Sequence, residues 1–156
     1  MRRGSLRGRS RHPARSSPAS RRALPARAGS LARGMTARTL ARLQAAGRVA
    51  LGAGLVAAPG PLAGAWVGAP ADRRPGQALA VGLGARDVAI ALGTLRALSA
   101  RRGARPWLRA GIAADLGDLV ATLRARDELP PLAAPVVAAV AGGSVLLGAY
   151  LQAALD

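Results

Sequence analysis

The chain has no cysteine and no phenylalanine among its 156 residues, and reading along it finds no lysine or asparagine either. Without cysteine there are no disulfides and no thiolate metal sites, which leaves the redox compartment open. The one histidine, His12, lies close to the N-terminus, so the body of the chain has no imidazole for a metal or a nucleophile–base pair. Only Trp66, Trp107 and Tyr150 are aromatic, although 51% of the residues are apolar. Ala, Leu, Val and Gly must therefore fill the interior. Such small residues suit helices whose backbones approach closely, as membrane helices commonly do. The missing residues share AT-rich codons, and the bias reads first as a property of the genome. The choice of arginine over lysine thus carries little chemical meaning.

Net charge is +16, unevenly placed. Residues 1–34 hold ten arginines and no acid, whereas residues 35–156 hold thirteen arginines against seven acids, or +6. The first stretch is rich in Arg, Ser, Pro, Gly and Ala, with few large apolar residues (Leu6, Leu24 and Leu31 among them), and is expected to be a disordered basic tail over residues 1–37. It lacks the apolar run of a secretory signal, while its Arg/Ser-rich, acid-free composition is that of an organellar transit peptide. A basic arm touching anionic lipid is a second reading. A true start at Met35 is a third, and the preferred one. No recognised nucleic-acid fold accompanies the arginines, so no specific nucleic-acid partner is expected.

Four apolar segments follow, at about 40–58, 78–98, 107–123 and 132–155. The first stops at Pro59-Gly60-Pro61. Leu62–Gly68 is still apolar and spaces Gly60, Gly64 and Gly68 by four. It reads as a short interfacial turn with Trp66 at headgroup level, in preference to a small-residue helix contact. Ala69–Gln77 reads as a loop, and Pro106 suits the first turn of the third segment. The fourth segment is free of charge from Leu132 to Leu155 and meets the length of about 20 apolar residues for a spanning helix. The expected fold is all-α, a four-helix transmembrane bundle over residues 38–156. The alternative is a soluble helical bundle, against which the fourth segment offers no polar face to water. The positive-inside rule sets orientation. Seven arginines (38, 42, 96, 101, 102, 105 and 109) fall on the side of the termini and four (73, 74, 124 and 126) on the other. Both termini are therefore expected in the cytoplasm, with the protein in the inner membrane and the lipid bilayer as its first partner.

Arg48, Arg86, Asp87, Asp115 and Asp118 interrupt the first three segments. A charge at mid-span costs roughly 2.5–3.5 kcal/mol on insertion scales, so these groups should turn inward and pair. Helical spacing aligns Gly111-Asp115-Asp118-Thr122, Gly82-Arg86-Ala89-Gly93 and Gln44-Arg48-Gly52 as seams. At about 1.5 Å per residue, Arg48 and Asp115 lie at one depth and Arg86, Asp87 and Asp118 at another. Arg48–Asp115 and Arg86–Asp118 are the expected pairs, with Asp87 turned towards a different neighbour such as Arg48. Two arginines against three aspartates leave one acid over, either protonated or open to water. The network fixes helix register, or alternatively it forms a site for protons, an ion or a polar ligand.

Catalytic signatures are missing. There is no Gly-x-Ser-x-Gly and no phosphate loop. The metal-binding carboxylates of lipid-headgroup phosphotransferases offer a comparison, but Asp115 and Asp118 are one residue too close and the first acidic pair is lacking. No cofactor is expected, and an enzyme ranks last.

Certain short motifs occur in order: Gly47-Arg48-Val49-Ala50-Leu51-Gly52, Pro59-Gly60-Pro61, Gly84-Ala85-Arg86-Asp87 with Ala91-Leu92-Gly93, and Ala114-Asp115-Leu116-Gly117-Asp118. Over about Arg38 to Leu155 the chain resembles small four-helix integral membrane proteins of high-GC actinobacteria, grouped as a domain of unknown function. The resemblance implies location and architecture, with Arg48, Arg86, Asp87, Asp115 and Asp118 as recurrent polar positions. It carries no activity, and it weighs against a transit peptide. The expected role is structural or partner-binding, in a homo-oligomer or with another membrane protein. A proton-coupled or small-solute transport subunit is the alternative.

Overall fold

The computed structural model describes residues 26–100 and 102–155, with side-chain environments from Thr36 onward. Five α-helices make up the described chain: α1 (Ala26–Ala57), α2 (Pro59–Val67), α3 (Arg74–Ser99), α4 (Arg105–Ala125) and α5 (Ala133–Ala154). Short 3-10 turns at Ala69–Asp72 and Arg126–Glu128 precede α3 and follow α4. No strand occurs among the described residues.

Helix α1 begins at Ala26, well before Leu40 and inside the stretch expected to be disordered. Ala, Arg, Leu and Met are strong helix formers, and the apolar period that marks a buried face begins later than the helix itself. The expectation for residues 1–25 falls outside the described residues. Pro59, which has no N–H to give, ends α1 and sits in the first turn of α2. The axis turns by 108° between the two. Residues 62–67 thus belong to a real helix, but the glycine spacing makes no tight helix contact. Nothing lies within 4 Å of a Cβ built at Gly64, and Gly68 ends the helix with φ of 69°. Asp72-Arg73-Arg74-Pro75-Gly76 was expected to be loop, yet α3 starts at Arg74. Pro75 occupies its first turn, where a missing N–H costs nothing, and Gly76 leaves room for the Pro70 carbonyl.

Antiparallel pairing follows from the buried residues. Helix α1 packs chiefly on α3, and α4 on α5. At one end of the molecule Ala37 and Ala41 of α1 meet Ala97 and Leu98 of α3, Leu108 of α4 and Leu151 of α5. At the other, Leu55 meets Ala63 of α2, Ala71 and Ala80. Between these ends, the α1 and α3 backbones nearly touch. A Cβ at Gly52 would stand 2.6 Å from the Gly84 carbonyl oxygen, and one at Gly84 would collide with the Gly52 oxygen. This crossing needs glycine on both sides, as in small-residue membrane packing.

By length and composition, α3 and α5 are each able to cross a membrane, and Thr36–Ala57 with Pro59–Val67 would do so as one bent segment. Helix α4 has the length, at 21 residues, but Asp115, Asp118 and three arginines keep it from the same standing.

Candidate functional site

The Gly52–Gly84 crossing sets the register of the charges. One turn from it, antiparallel helices bring Arg48 opposite Asp87. Arg48 Nη1 donates to Asp87 Oδ1 at 3.0 Å, and Nη2 to Asp115 Oδ2 at 2.5 Å. Gly111, one turn from Asp115, keeps α4 slim where the guanidinium passes. Arg86 completes the chain. Its Nη1 and Nη2 donate to the two Asp118 oxygens at 3.0 and 2.6 Å. Its Nε and Nη2 donate to Asp87 Oδ1 at 3.2 and 3.1 Å. The result is a continuous sequence of alternating sign, Asp115–Arg48–Asp87–Arg86–Asp118, across α1, α3 and α4.

All five charged residues singled out in the sequence meet here, through Arg48–Asp115 and Arg86–Asp118, with Asp87 reaching Arg48. The acid expected to be left over is instead shared: Asp87 bridges both arginines. Three carboxylates against two guanidiniums still leave one formal negative charge. Burial divides the chain in two, with Asp115, Arg48 and Asp87 deeper than Arg86 and Asp118. The side chains of Arg48 and Asp87 are 10% and 8% exposed, that of Arg86 31%. Among the described residues no buried side-chain nitrogen or oxygen lacks a partner, which is what a buried ionic group requires.

The Gly111-Asp115-Asp118-Thr122 seam faces inward, with Gly111, Asp115 and Thr122 buried. On α3 the inward seam is Ala80-Gly84-Asp87-Ala91-Thr94, and not Gly82-Arg86-Ala89-Gly93. Gly82 and Ala89 are exposed, and Arg86 reaches Asp118 from the flank. Periodicity does not say which of two adjacent charged residues points inward; the small residues at Ala80, Gly84 and Ala91 do. Gly93 has its own task, since the Trp107 ring lies where its Cβ would be.

Two polar contacts have no counterpart in the sequence reading. Gln44 Nε2 donates to Ser144 Oγ at 3.0 Å, and Arg48 Nη2 reaches the same oxygen at 3.4 Å, tying α5 to the charged chain. Trp66 Nε1 donates to Thr122 Oγ1 at 3.0 Å, while that hydroxyl donates to the Asp118 carbonyl at 2.7 Å. Thus the Trp66 side chain ties α2, which packs on α1, α3 and α5, to α4. Ser144 as the one serine or threonine within the apolar run of α5 was the signal available.

A cleft of about 480 Å³ opens between α1, α2 and α5 on the α2 side of the charges. Leu55, Leu62, Trp66, Leu83, Val136 and Val140 give it apolar walls, and Arg86, Asp87, Asp115 and Asp118 form its charged part. On the other side of the chain, a space of about 20 Å³ beside Gln44, Arg48 and Thr94 has room for one water. Among the described residues no group of three or more His, Cys, Asp or Glu is placed to hold a metal ion.

Comparison with known proteins brings no match: no protein family, no curated protein and no solved structure matches the chain.

Proposed function

We propose that the protein is a multi-pass inner-membrane protein with a structural or partner-binding role, built around an intramembrane Arg/Asp chain. In this reading α1, α3, α4 and α5 each span the bilayer, both termini are cytoplasmic, and α2 lies near the headgroups with Trp66. The observation that carries the reading is an inside-out distribution of polarity. Leu43, Leu79, Leu92 and Leu146 are 64%, 71%, 54% and 74% exposed, while Asp87 and Asp115 are 6% and 8% exposed. Only 17% of the most apolar window of α5 is buried in protein, so the rest needs an apolar surrounding. Water would penalise that surface; lipid would not. Helix α4 needs the ion chain to cross, because its two acids are tolerable in lipid only when paired. The likeness to actinobacterial four-helix membrane proteins of unknown function belongs to the same proposal.

The cleft favours a second reading, a transport subunit for protons or a small solute. The charged chain stands between the cleft and the water-sized space, as a barrier or relay would. Asp115→Asn and Asp118→Asn separate the two. Loss of the protein from membranes supports the structural role. Normal abundance with altered ion or solute flux supports transport and overturns the structural role.

A further inference from the structure

We infer that the cleft is a binding site for a single-chain amphiphile with a primary ammonium head. Its size falls in the range of small-molecule pockets, and its walls are apolar with charge at one place, as a molecule with one charged end requires. The hydrogen-bond inventory decides the sign of that charge. A guanidinium has five N–H donors, and Arg86 spends four donations on Asp87 and Asp118. Carboxylates accept about four bonds each, and Asp118 takes two from Arg86 while Asp115 takes one from Arg48. Spare capacity is therefore in acceptors, and the surplus formal charge is negative. A carboxylate or phosphate head would meet a guanidinium whose donors are committed. An ammonium brings three donors, no acceptor and the one positive charge that neutralises the chain. The apolar tail would lie along Leu62, Val136 and Val140.

The inference rests on the membrane reading only for the route by which an amphiphile arrives. Binding is read on purified protein and topology in cells, so each fails without the other. The test uses the full chain in uncharged detergent with Trp107→Phe, which leaves Trp66, in the cleft wall, as the sole tryptophan. The probe is 12-bromododecylammonium, whose bromine quenches indole fluorescence. Its alcohol and trimethylammonium analogues are the controls. The expected result is saturable quenching with a midpoint at least tenfold below that of either analogue. Asp118→Asn, which removes the surplus charge, should raise the midpoint about tenfold. Val137→Phe, which fills the cleft without touching a charge, should abolish saturation, and it decides the matter if the Asp118 variant loses helicity. Equal quenching by the ammonium and the alcohol would overturn the proposal, as would an unchanged midpoint in Val137→Phe. Equal quenching by the trimethylammonium analogue would overturn the hydrogen-bonding head.

Discussion

The two ends of the molecule are built from the same residues and packed differently. Around Ala37, Ala41, Ala97 and Leu151 the helices close completely, with Ala37 and Leu151 each at 0% exposure. Around α2 a cleft remains. A chain without phenylalanine has few side chains able to bridge a wide gap, so it fills space by bringing backbones together. That succeeds where helices run straight past one another. It fails where the Pro59 break turns the chain by 108° and the cleft separates Leu51 and Leu55 of α1 from Val136 and Val140 of α5. The ion chain sits at the boundary. Its closed-end member, Arg48, is 10% exposed, and its cleft-side member, Arg86, is 31% exposed.

The largest effect should come from attacking the ion chain on its closed side. Arg48→Met leaves Asp115 buried without a guanidinium and Asp87 with Arg86 alone, a loss of about 3–5 kcal/mol for a broken buried pair. Thermal unfolding of the purified protein should register it. Arg86→Met should cost less than Arg48→Met, because Arg86 faces the cleft and its partners gain access there. Equal costs would erase the distinction between the two sides. Next comes the crossing that sets the register. Gly84→Ala drives a methyl into the Gly52 carbonyl and should cost about 1–3 kcal/mol. Gly82→Ala, two residues away with nothing within 4 Å, should be neutral or stabilise by up to about 1 kcal/mol through helix propensity. The paired melting temperatures test whether Gly84, and not glycine content, matters. The smallest loss belongs to Trp66→Phe. Losing its bond to Thr122 should cost about 1 kcal/mol and raise amide exchange in α2, with the closed end unchanged.

Much of this was legible in the sequence, and the reasons differ by feature. Helix stops at Pro59 and starts at Pro106 are local backbone chemistry. Charges in apolar segments have few affordable partners, so matching depths was enough to pair Arg48 with Asp115 and Arg86 with Asp118. The α3 seam was misplaced by one position because Arg86 and Asp87 are adjacent, and a helical period does not choose between neighbours. Ser144 and the Trp66–Thr122 contact depend on which helices pack together, information that no single segment carries. The cleft was not legible at all, because a gap between helices leaves no mark on the residues that border it.

Single-cysteine labelling in intact cells tests the membrane arrangement most directly, since the chain has no cysteine of its own. Ala69→Cys, Ser99→Cys and Ala125→Cys would be treated separately with a membrane-impermeant thiol reagent, before and after permeabilisation. The four-span arrangement predicts labelling from outside at positions 69 and 125, and at position 99 only after permeabilisation. Labelling at all three only after permeabilisation, with the protein in the soluble fraction, would contradict it and make the Arg/Asp chain the buried network of a soluble helical protein.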